Sequence, residues 1–398
     1  MVLTLKIFHL ADTHLGFSAY NKLDLDSGLN QREMDFYSVF QEFVDYAISA
    51  KPDLILHSGD FFDSVRPTNR AISFGMDQLL RLADAGIPII MIAGNHSTPR
   101  LRETGSVFRL FEHIDNVYPI YKNQYEVVDL PKLELKVHAI PHCTELESLQ
   151  DALEQFKPDD NTKYNIGMLH AAVVGVKAFR WSEFNEIEVP SGFLNKDFNY
   201  IALGHYHEFC KVDENAYYSG SLERINFLEA SHNIKGFIEI NLPTEVEGAQ
   251  NESECFYPEP EFHELPTRPM VELPIIDCSV INHNEISIEI NNRIENVEPT
   301  DKIIRIKIQN LPMHVYRSLD FNKYRRLTAD ALHFEIQYEV TKEELGAAAA
   351  GVKFEVLGTE FKNFYANEAI EGLNKDRLCK LGLDYLTKVG ETKEKYVE

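Results

Sequence analysis

The stretch LGHYH at residues 203–207 places His205 and His207 one residue apart, directly after a glycine. In an extended segment, side chains at positions i and i+2 project to the same face. Two imidazoles on one face are costly to bury as ordinary core, because each ring carries polar nitrogens that need partners. The pair therefore raises the question of what single feature both histidines face.

Other apolar runs of the chain also end in side chains that can bind a metal ion. The candidates are Asp12 and His14 after KIFHLA, Asp60 after LILHSG, Asn95 and His96 after IIMIAG, His170 after NIGML, and His205 and His207 after YIALG. Ligands gather at the carboxyl ends of strands in open α/β sheets, so strands lying side by side would bring these residues into one crevice. Two ions about 3.5–4 Å apart typically share a carboxylate, and Asp60, after a tight Ser-Gly turn, is the natural bridge.

The individual motifs differ in how specific they are. DxH and GD are common and say little alone, whereas an Asn-His pair after a buried strand has no packing rationale. GHxH is the most specific of them, although either histidine could instead cap a turn. Coincidence is a poor explanation for all of them in this order, each after an apolar run. We interpret His9, His57 and His138, which lie within such runs, as core or supporting residues.

Overall composition limits the classes of protein to consider. The chain has 398 residues, enough for two or three domains, and a net charge of −24 that is unfavourable for binding nucleic acid. Acidic groups around cations would be partly neutralised, and others could face away from a substrate. Five scattered cysteines without a CxxC pair argue against disulfides and thiolate metal sites, which leaves nitrogen and oxygen ligands suited to manganese, iron or zinc. No apolar run approaches the roughly 20 residues that span a bilayer, and the N-terminus does not resemble a signal peptide, so we expect a soluble intracellular protein.

The motifs need strands and helices to position them. From residue 1 to about 240, apolar strand-like runs alternate with helical patterns such as FYSVFQEFVDYAI, which predicts a layered α/β domain. Residues 243–269 are rich in Pro, Glu and Asn and are typical of a linker. Beyond them, KIIRIKIQ and HFEIQYEV alternate like half-buried strands on either side of the helical LDFNKYRRLTADAL. The C-terminal residues have a helical pattern with Leu378 and Leu381 in one stripe.

The order DxH, GD, GNH, H, GHxH resembles the calcineurin-type metallophosphoesterase superfamily. FHLADTHLGF, LILHSGDFFDSVRPT, IIMIAGNHSTPR and IALGHYH are similar to the SbcD / meiotic-recombination-eleven family of DNA double-strand-break repair nucleases. TRPMVELPIID and YRRLTADALHFEI resemble the cap domain of that family. The resemblance covers about residues 1–340. It implies an α/β fold, a metallophosphoesterase layered β-sandwich flanked by helices, with a smaller α+β cap domain and a helical C-terminal tail.

The patterns predict four segments, and the resemblance implies their roles. Residues 1–245 are expected to form a dimetal phosphoesterase (nuclease) domain, 246–268 a linker, 269–342 an α+β cap (DNA-binding) domain, and 343–398 a tether and helical tail that is a candidate ATPase-binding segment. The GAAAAG stretch in the tether has the composition of either a flexible hinge or a short helix.

The resemblance implies two manganese ions per chain, with iron or magnesium as alternatives. The first ion would be held by Asp12, His14, Asp60 and His207, and the second by Asp60, Asn95, His170 and His205. His96 matches the catalytic histidine of the family, which does not bind metal but lies beside the scissile phosphate. The two histidines of GHxH would therefore face two ions of one cluster.

The sequence departs from the family pattern in a few places. Asp63 stands where many members carry a second functional histidine, although SbcD-like members also have aspartate there. Ser97 replaces the commoner aspartate after GNH, and no glutamine follows His170. None of these changes removes a predicted metal ligand.

Arg66 and Arg70, which follow the second motif, could reach phosphates or could be ordinary surface charge.

The implied activity is that of a manganese-dependent nuclease, a 3′-to-5′ exonuclease on double-stranded DNA and an endonuclease on single strands or hairpins. The implied partners are DNA, an SbcC-type coiled-coil ATPase and a second copy of the chain, in the nucleoid of the cytoplasm. One rival is a phosphoesterase for small diesters such as cyclic nucleotides, which the acidic charge favours. The cap-like segment and helical tail favour the nuclease. A non-catalytic scaffold should lack ligands, whereas all seven and His96 are present.

Overall fold

The computed structural model describes residues 4–99, 104–175, 188–194, 196–230, 234–243, 256–282, 285–340 and 377–383. In chain order, its strands and α-helices are β1 (Thr4–Leu10), α1 (Gln31–Ala50), β2 (Leu54–His57), α2 (Asn69–Asp84), β3 (Ile89–Ile92), β4 (Val117–Ile120), β5 (Glu126–Leu130), β6 (Leu135–Ile140), α3 (Leu146–Gln155), β7 (Tyr164–His170), β8 (Ala172–Val173), β9 (Glu188–Val189), β10 (Tyr200–Gly204), β11 (Cys210–Asp213), β12 (Ala216–Tyr218), β13 (Gly236–Pro243), β14 (Glu261–Glu264), β15 (Met270–Asp277), α4 (Ile286–Asn296), β16 (Ile303–Leu311), α5 (Met313–Ser318), α6 (Phe321–Leu327) and β17 (His333–Val340). A further helix covers 377–383. Among these described helices, none combines the length and the apolar character that crossing a membrane requires.

Two six-stranded sheets hold most of these strands. The first has the order β14-β13-β1-β2-β3-β4, in which β1 to β4 are parallel and β13 and β14 are antiparallel additions. The second has the order β11-β12-β10-β7-β6-β5, with a parallel centre and antiparallel edges. The six strands predicted most clearly from the sequence, β1, β2, β3, β6, β7 and β10, are all present, and the predicted layered α/β class is confirmed.

One hydrophobic core cluster lies between the two sheets. Ile7 and Ile90 of the first sheet pack in one cluster with Val137 and Ile166 of the second. The opposite face of the first sheet, which includes Phe8, packs against α1 and α2. Because strands in such layers are buried on both faces, they have continuous apolar runs instead of an alternating pattern.

Helix α1 shows how local sequence fixes an element. The Asn30 side chain caps its N-terminus by accepting hydrogen bonds from the backbone N–H groups of Arg32 (2.9 Å) and Glu33 (3.3 Å). The helix ends at Lys51, which takes the left-handed conformation that is common just after a helix. The face predicted to be buried is buried in the structure, including Phe40.

The structure divides into two compact units. The first consists of residues 1–274, 291–306 and 322–335, and the second of residues 275–290, 307–321 and 336–398. A three-stranded sheet has the order β15-β16-β17, and it includes both strands expected from KIIRIKIQ and HFEIQYEV. The helix expected over LDFNKYRRLTADAL is shorter, covering only Phe321–Leu327. The next residue, Thr328, donates its hydroxyl hydrogen to the carbonyl oxygen of Tyr324.

The sequence analysis missed strand β14, which lies inside the predicted linker. It pairs antiparallel with β13, in the register that sets Glu261 opposite Glu239. The predicted segment boundaries at 245, 268 and 342 remain predictions. The GAAAAG stretch and most of the predicted tail lie outside the described residues.

Candidate metal centre

The eight residues selected from the sequence lie at the carboxyl ends of strands from both sheets. Asp12 and His14 follow β1, Asp60 follows β2, and Asn95 and His96 follow β3 in the first sheet, whereas His170 ends β7 and His205 and His207 follow β10 in the second. These strands do not all lie side by side in one sheet, because β1, β2 and β3 belong to the first sheet and β7 and β10 to the second. The strand ends still meet. His170 donates its Nδ1–H to the carbonyl oxygen of Ser58 (2.8 Å), and the backbone N–H of His205 donates to the Asp12 carboxylate (3.1 Å).

The backbone turns tightly where these strands end. Asp12, His14, Asp60 and His205 have φ angles of 52°, 42°, 52° and 107°. Positive φ is uncommon outside glycine, and such strained residues cluster at functional sites. The segments that follow β1 and β2 are joined by a hydrogen bond in which the backbone N–H of Asp12 donates to the carbonyl oxygen of Gly59 at 2.9 Å. Four of the predicted ligands therefore lie on backbone that carries a conformational cost.

Two glycines leave the space that the ligand side chains occupy. A Cβ on Gly94 would lie 2.3 Å from Oδ1 of Asp60, and one on Gly59 would lie 2.1 Å from Nδ1 of His170. Neither distance is compatible with a real side chain. The glycines of the GNH and GD motifs are thus required by close approach, in addition to the positive φ of Gly59.

The first cluster contains Asp12, His14 and His207, whose candidate ligand atoms lie within 4.8 Å of one another. The Nε2 atoms of His14 and His207 are 3.2 Å apart, and Asp12 and His14 are almost fully buried. Two neutral imidazoles that face each other in this way share at most one hydrogen bond. A cation between them and the carboxylate would engage both lone pairs.

His207 is supported from behind by Glu229, which the sequence analysis did not identify. Its Nδ1 lies 3.3 Å from Oε1 of Glu229, and a carboxylate oxygen accepts, so Nδ1 carries the hydrogen and Nε2 is directed toward His14. Burial lowers the pKa of His207, but the charges of Glu229 and Asp12 outweigh this and raise it. The pKa of Glu229 is held far below its usual range because Lys235 and His207 outweigh the effect of burial.

Lys235 anchors this support. Its ammonium group is fully buried and contacts Glu229 while donating to Oγ of Ser221 (2.8 Å) and to the carbonyl oxygen of His207 (2.6 Å). No local motif marks Glu229 or Lys235 in the sequence. They reach His207 only because the short helix Phe227–Glu229 and the residue before β13 lie beside the turn that follows β10.

The second cluster contains Asp12, Asp60 and His170, again with ligand atoms within 4.8 Å of one another. Nε2 of His170 lies 3.2 Å from Oδ2 of Asp60 and 2.9 Å from Oδ1 of Asn95. Burial lowers the pKa of His170, but the carboxylates of Asp60 and Asp12 raise it to about 9. The ring of His205 stands edge-on to that of His170, with centroids 5.4 Å apart. The proton that His170 holds between two oxygens occupies the place a cation would take.

The two buried carboxylates respond differently to this environment. Burial raises the pKa of Asp12, and nearby imidazoles offset only part of that effect. Burial would also raise the pKa of Asp60, but the imidazoles of His170, His96 and His14 lower it well below its usual range. Asp12 is common to both clusters in the structure, whereas bridging by Asp60 remains a prediction.

His96 is oriented by the backbone of the residue that replaces the family's second histidine. Its Nδ1–H donates to the carbonyl oxygen of Asp63 at 2.8 Å, and its ring packs edge-on against His14 with centroids 4.9 Å apart. The carboxylate of Asp63 has its Oδ1 3.3 Å from Nδ1 of His14. This contact lacks hydrogen-bond geometry, because the buried Nδ1 of His14 has no hydrogen-bond partner, unlike Nδ1 of His207 beside Glu229.

His142 is a further histidine at the centre that the sequence analysis missed. It is buried, and its backbone N–H donates to the carbonyl oxygen of Ala93 at 2.8 Å. Burial and the charge of His170 lower its pKa to about 4, which keeps the imidazole neutral. The signal was present, because His142 ends the LKVHAIPH run as the other histidines end theirs.

Other candidates have structural roles. His9, His57 and His138 are buried within strands and contact Tyr200, Thr13 and Asn165 respectively, which agrees with their interpretation as core or supporting residues. Arg70 forms two hydrogen bonds with the buried Glu33, at 2.9 and 2.8 Å, so it serves the α1–α2 pair instead of being an uncommitted phosphate ligand.

The donor set fits divalent cations. It offers two carboxylates, one amide oxygen and four imidazoles, the mixture that suits manganese, iron or zinc. Burying Asp12 and Asp60 together costs several kcal/mol unless cations compensate them. The facing Nε2 atoms of His14 and His207 would also be satisfied by a cation, because two neutral rings share at most one hydrogen bond. The residues present therefore fit a metal centre held between the two sheets.

A sheet sandwich with such a centre at its strand ends is the arrangement of a metal-dependent phosphoesterase. Residues 5–209 match the family model described as calcineurin-like phosphoesterase. The chain belongs to the calcineurin-like phosphoesterase family, as the order of its motifs indicated.

Relatives narrow the comparison further. The chain is 34% identical over 209 residues to the DNA double-strand break repair protein Mre11 of Methanococcus maripaludis, covering 51% of this chain and 52% of the relative. It is 34% identical over 206 residues to the protein of the same name from Sulfurisphaera tokodaii, covering 51% and 49%. The protein of that name from Methanocaldococcus jannaschii is 25% identical over 385 residues, covering 96% and 90%. The matches to the first two relatives span about half of their length, and the predicted family resemblance is confirmed.

Proposed function

We propose that this chain is a DNA nuclease that hydrolyses phosphodiester bonds with two manganese ions, iron or magnesium being the alternatives. The observation that carries the proposal is the convergence of buried Asp12 and Asp60 with the facing Nε2 atoms of His14 and His207, 3.2 Å apart. Relatives named as DNA double-strand break repair proteins support DNA as the substrate. The finer proposal is 3′-to-5′ exonuclease action on double strands and endonuclease action on single strands or hairpins.

The two ions would be held by the residues that the sequence analysis assigned. Asp12, His14, Asp60 and His207 would hold one, and Asp60, Asn95, His170 and His205 the other. When bound, such ions lower the pKa of water and neutralise charge that develops on phosphate oxygens. The chain itself fixes the donors, through the hydrogen bonds of His170 to Ser58 and of His207 to Glu229.

His96 is the proposed proton donor of the reaction. Its Nδ1–H is committed to the carbonyl oxygen of Asp63, so Nε2 is the atom that can serve the substrate. As the oxygen of water bonds to phosphorus and that water releases a proton to solvent, the bond from phosphorus to the sugar oxygen breaks. The sugar oxygen takes a proton from Nε2, and solvent later returns a proton to the ring. General acid catalysis of this kind contributes about 10²- to 10⁴-fold. A neighbouring phosphate anion keeps the imidazole protonated longer, which suits the role.

The substrate and partners follow the family resemblance. The net charge of −24 opposes DNA binding, but part of it belongs to carboxylates that bound cations would neutralise. We propose an SbcC-type coiled-coil ATPase as partner, with residues 343–398 as its binding segment, and a homodimer as the working form, acting at the nucleoid. In this proposal the chain is the nuclease subunit of an SbcCD-like complex for the repair of DNA double-strand breaks.

The test is a cleavage assay with the full chain, manganese and two labelled substrates, a duplex with a recessed 3′ end and bis-p-nitrophenyl phosphate. We expect stepwise shortening from the 3′ end that EDTA abolishes. Asp60→Ala should reduce the rate by about a thousandfold or more, since ion-derived stabilisation of several kcal/mol is lost. Asp26→Ala, at an exposed carboxylate, is the matched control and should be unchanged.

Three other results would change the proposal. Turnover of the small diester with intact DNA, even after the coiled-coil ATPase is added, would favour the small-diester phosphoesterase. Cleavage of DNA that survives Asp60→Ala would contradict the assigned centre. Inactivity toward both substrates would favour the scaffold.

A further inference from the structure

A second group of carboxylates and imidazole lies outside the proposed catalytic centre, at the edge of the first sheet. Glu239 of β13 stands directly opposite Glu261 of β14, and His263 follows two residues later on the same face of β14. The candidate ligand atoms of these three residues lie within 4.8 Å of one another. Neither the proposed activity nor the family resemblance uses them.

The contact between His263 and Glu239 has the geometry of two ligands and not that of a hydrogen bond. Nε2 of His263 is 3.2 Å from Oε2 of Glu239, yet this buried nitrogen has no hydrogen-bond partner, so the N–H direction does not point at the oxygen. Bond lengths of about 2.0 Å in a tetrahedral zinc site separate neighbouring ligand atoms by about 3.3 Å. A lone pair on Nε2 of His263 and one on Oε2 of Glu239 that both point at a single cation would give this separation.

The surroundings hold the imidazole in place. Phe237 stacks on the ring of His263, with centroids 4.9 Å apart and planes inclined by 8°. The hydroxyl of Tyr46 lies 3.4 Å from Nδ1, which makes Nε2 the nitrogen that faces the carboxylates. A supporting polar contact on the other ring nitrogen is typical of histidines that bind metals.

The carboxylates remain incompletely compensated by the protein. Oε1 of the buried Glu239 accepts a hydrogen bond from Asn241 (3.0 Å) and lies 3.8 Å from Nζ of Lys6, so Oε2 is the oxygen directed to His263. Glu261 is exposed, which gives an ion access from solvent and leaves room for water as a fourth ligand.

We propose that Glu239, Glu261 and His263 bind a zinc-class divalent cation that joins the edge strand β14 to β13. The imidazole disfavours calcium and magnesium, which prefer all-oxygen sites, and the absence of thiolate among the three ligands allows cobalt or nickel to substitute for zinc. Because β14 has only four residues, an ion shared across the ladder would stabilise the pairing of this strand.

The test uses the full chain, stripped by a chelator and reloaded with zinc, in the Asp60→Ala background that weakens the proposed catalytic centre. Zinc content per chain and competition with a chromophoric chelator are the readouts. We expect Glu261→Gln and His263→Gln each to lose one tightly bound ion per chain. Glu264→Gln, on the opposite face of β14, is the matched control and should keep it.

Anomalous diffraction at the zinc edge from crystals of the natural sequence is the second measurement, since it does not depend on a variant folding. A peak within bonding distance of Nε2 of His263 and Oε2 of Glu239 would support the proposal. No peak there, or zinc content unchanged by both substitutions, would overturn it. Nuclease activity is not a readout, so failure of this proposal and failure of the proposed function are distinguishable.

Discussion

The proposed catalytic centre and the Glu239–Glu261–His263 cluster use the same kinds of donor atom but are built differently. In the centre, ligands such as Asp12 and Asp60 follow strands and sit on left-handed backbone, buried between two sheets. In the cluster, the donors project from the face of two paired strands at a sheet edge, and Glu261 is exposed. Strand ends bring together residues that are distant in sequence and enclose them, whereas a strand face presents them to solvent. The first construction suits chemistry, and the second suits a structural ion.

The largest effect is expected from removing space in the centre. In Gly94→Ala, the new methyl group would lie 2.3 Å from Oδ1 of Asp60 and displace it. We expect a loss of ion binding and cleavage slower by about 10⁴-fold or more, comparable to losing the carboxylate. Metal content and cleavage rate are the measurements. Gly192→Ala, where a Cβ meets nothing within 4 Å, is the control. Normal metal binding by Gly94→Ala would show that the buried ligands can shift to make room for a methyl group. The contrast drawn between the enclosed centre and the exposed cluster would then be wrong.

The next effect is loss of proton donation without loss of metal. His96→Gln should reduce cleavage by about 10²- to 10⁴-fold while leaving the ion content unchanged, because His96 acts on the leaving oxygen and not on an ion. The measurements are cleavage rate and metal content on the same preparation. If the variant also loses an ion, the assignment of His96 as a non-ligand is wrong.

A smaller effect should follow from altering the support behind His207. Glu229→Gln removes the charge that orients Nδ1–H of His207 and is expected to weaken metal affinity by about 10- to 100-fold. A manganese titration measures this, with thermal unfolding as a check on folding, since Lys235 loses its partner. The paired variant Glu229→Gln/Lys235→Met should recover the fold and not the affinity. Full affinity in both would mean that the buried carboxylate only stabilises the fold.

The smallest effect concerns pH. The folded ion-free chain holds the pKa of His170 at about 9, above the ordinary 6.5, so its protonation stabilises the fold fully below pH 6.5 and progressively less up to about pH 9. Over the same range, manganese affinity should rise, because a metal binds only the deprotonated ring. Thermal unfolding and manganese titration across pH 6–9 test both signs. His170→Asn should flatten both profiles, and an ion-free protein whose stability rises over this range would contradict the assignment.

Much of the centre was predictable because its signals are local. A buried run followed by Asp, Asn or His marks the end of a parallel strand, and the same rule would have found His142. Glu229, Lys235 and the contact of the Asp63 carboxylate with His14 could not be found in this way, since they depend on how turns pack against other strands. The pairing between β13 and β14 was missed for another reason. The Pro- and Glu-rich stretch that contains β14 has the composition of a linker.

The contact between His14 and His207 joins positions 193 residues apart along the chain and belongs to both sheets. An assembly of this kind has no precursor in either half. A chain in which only one of the sheets has formed holds only part of the predicted ligand set. We therefore expect metal uptake by freshly made chains to report the moment at which the two sheets have packed together.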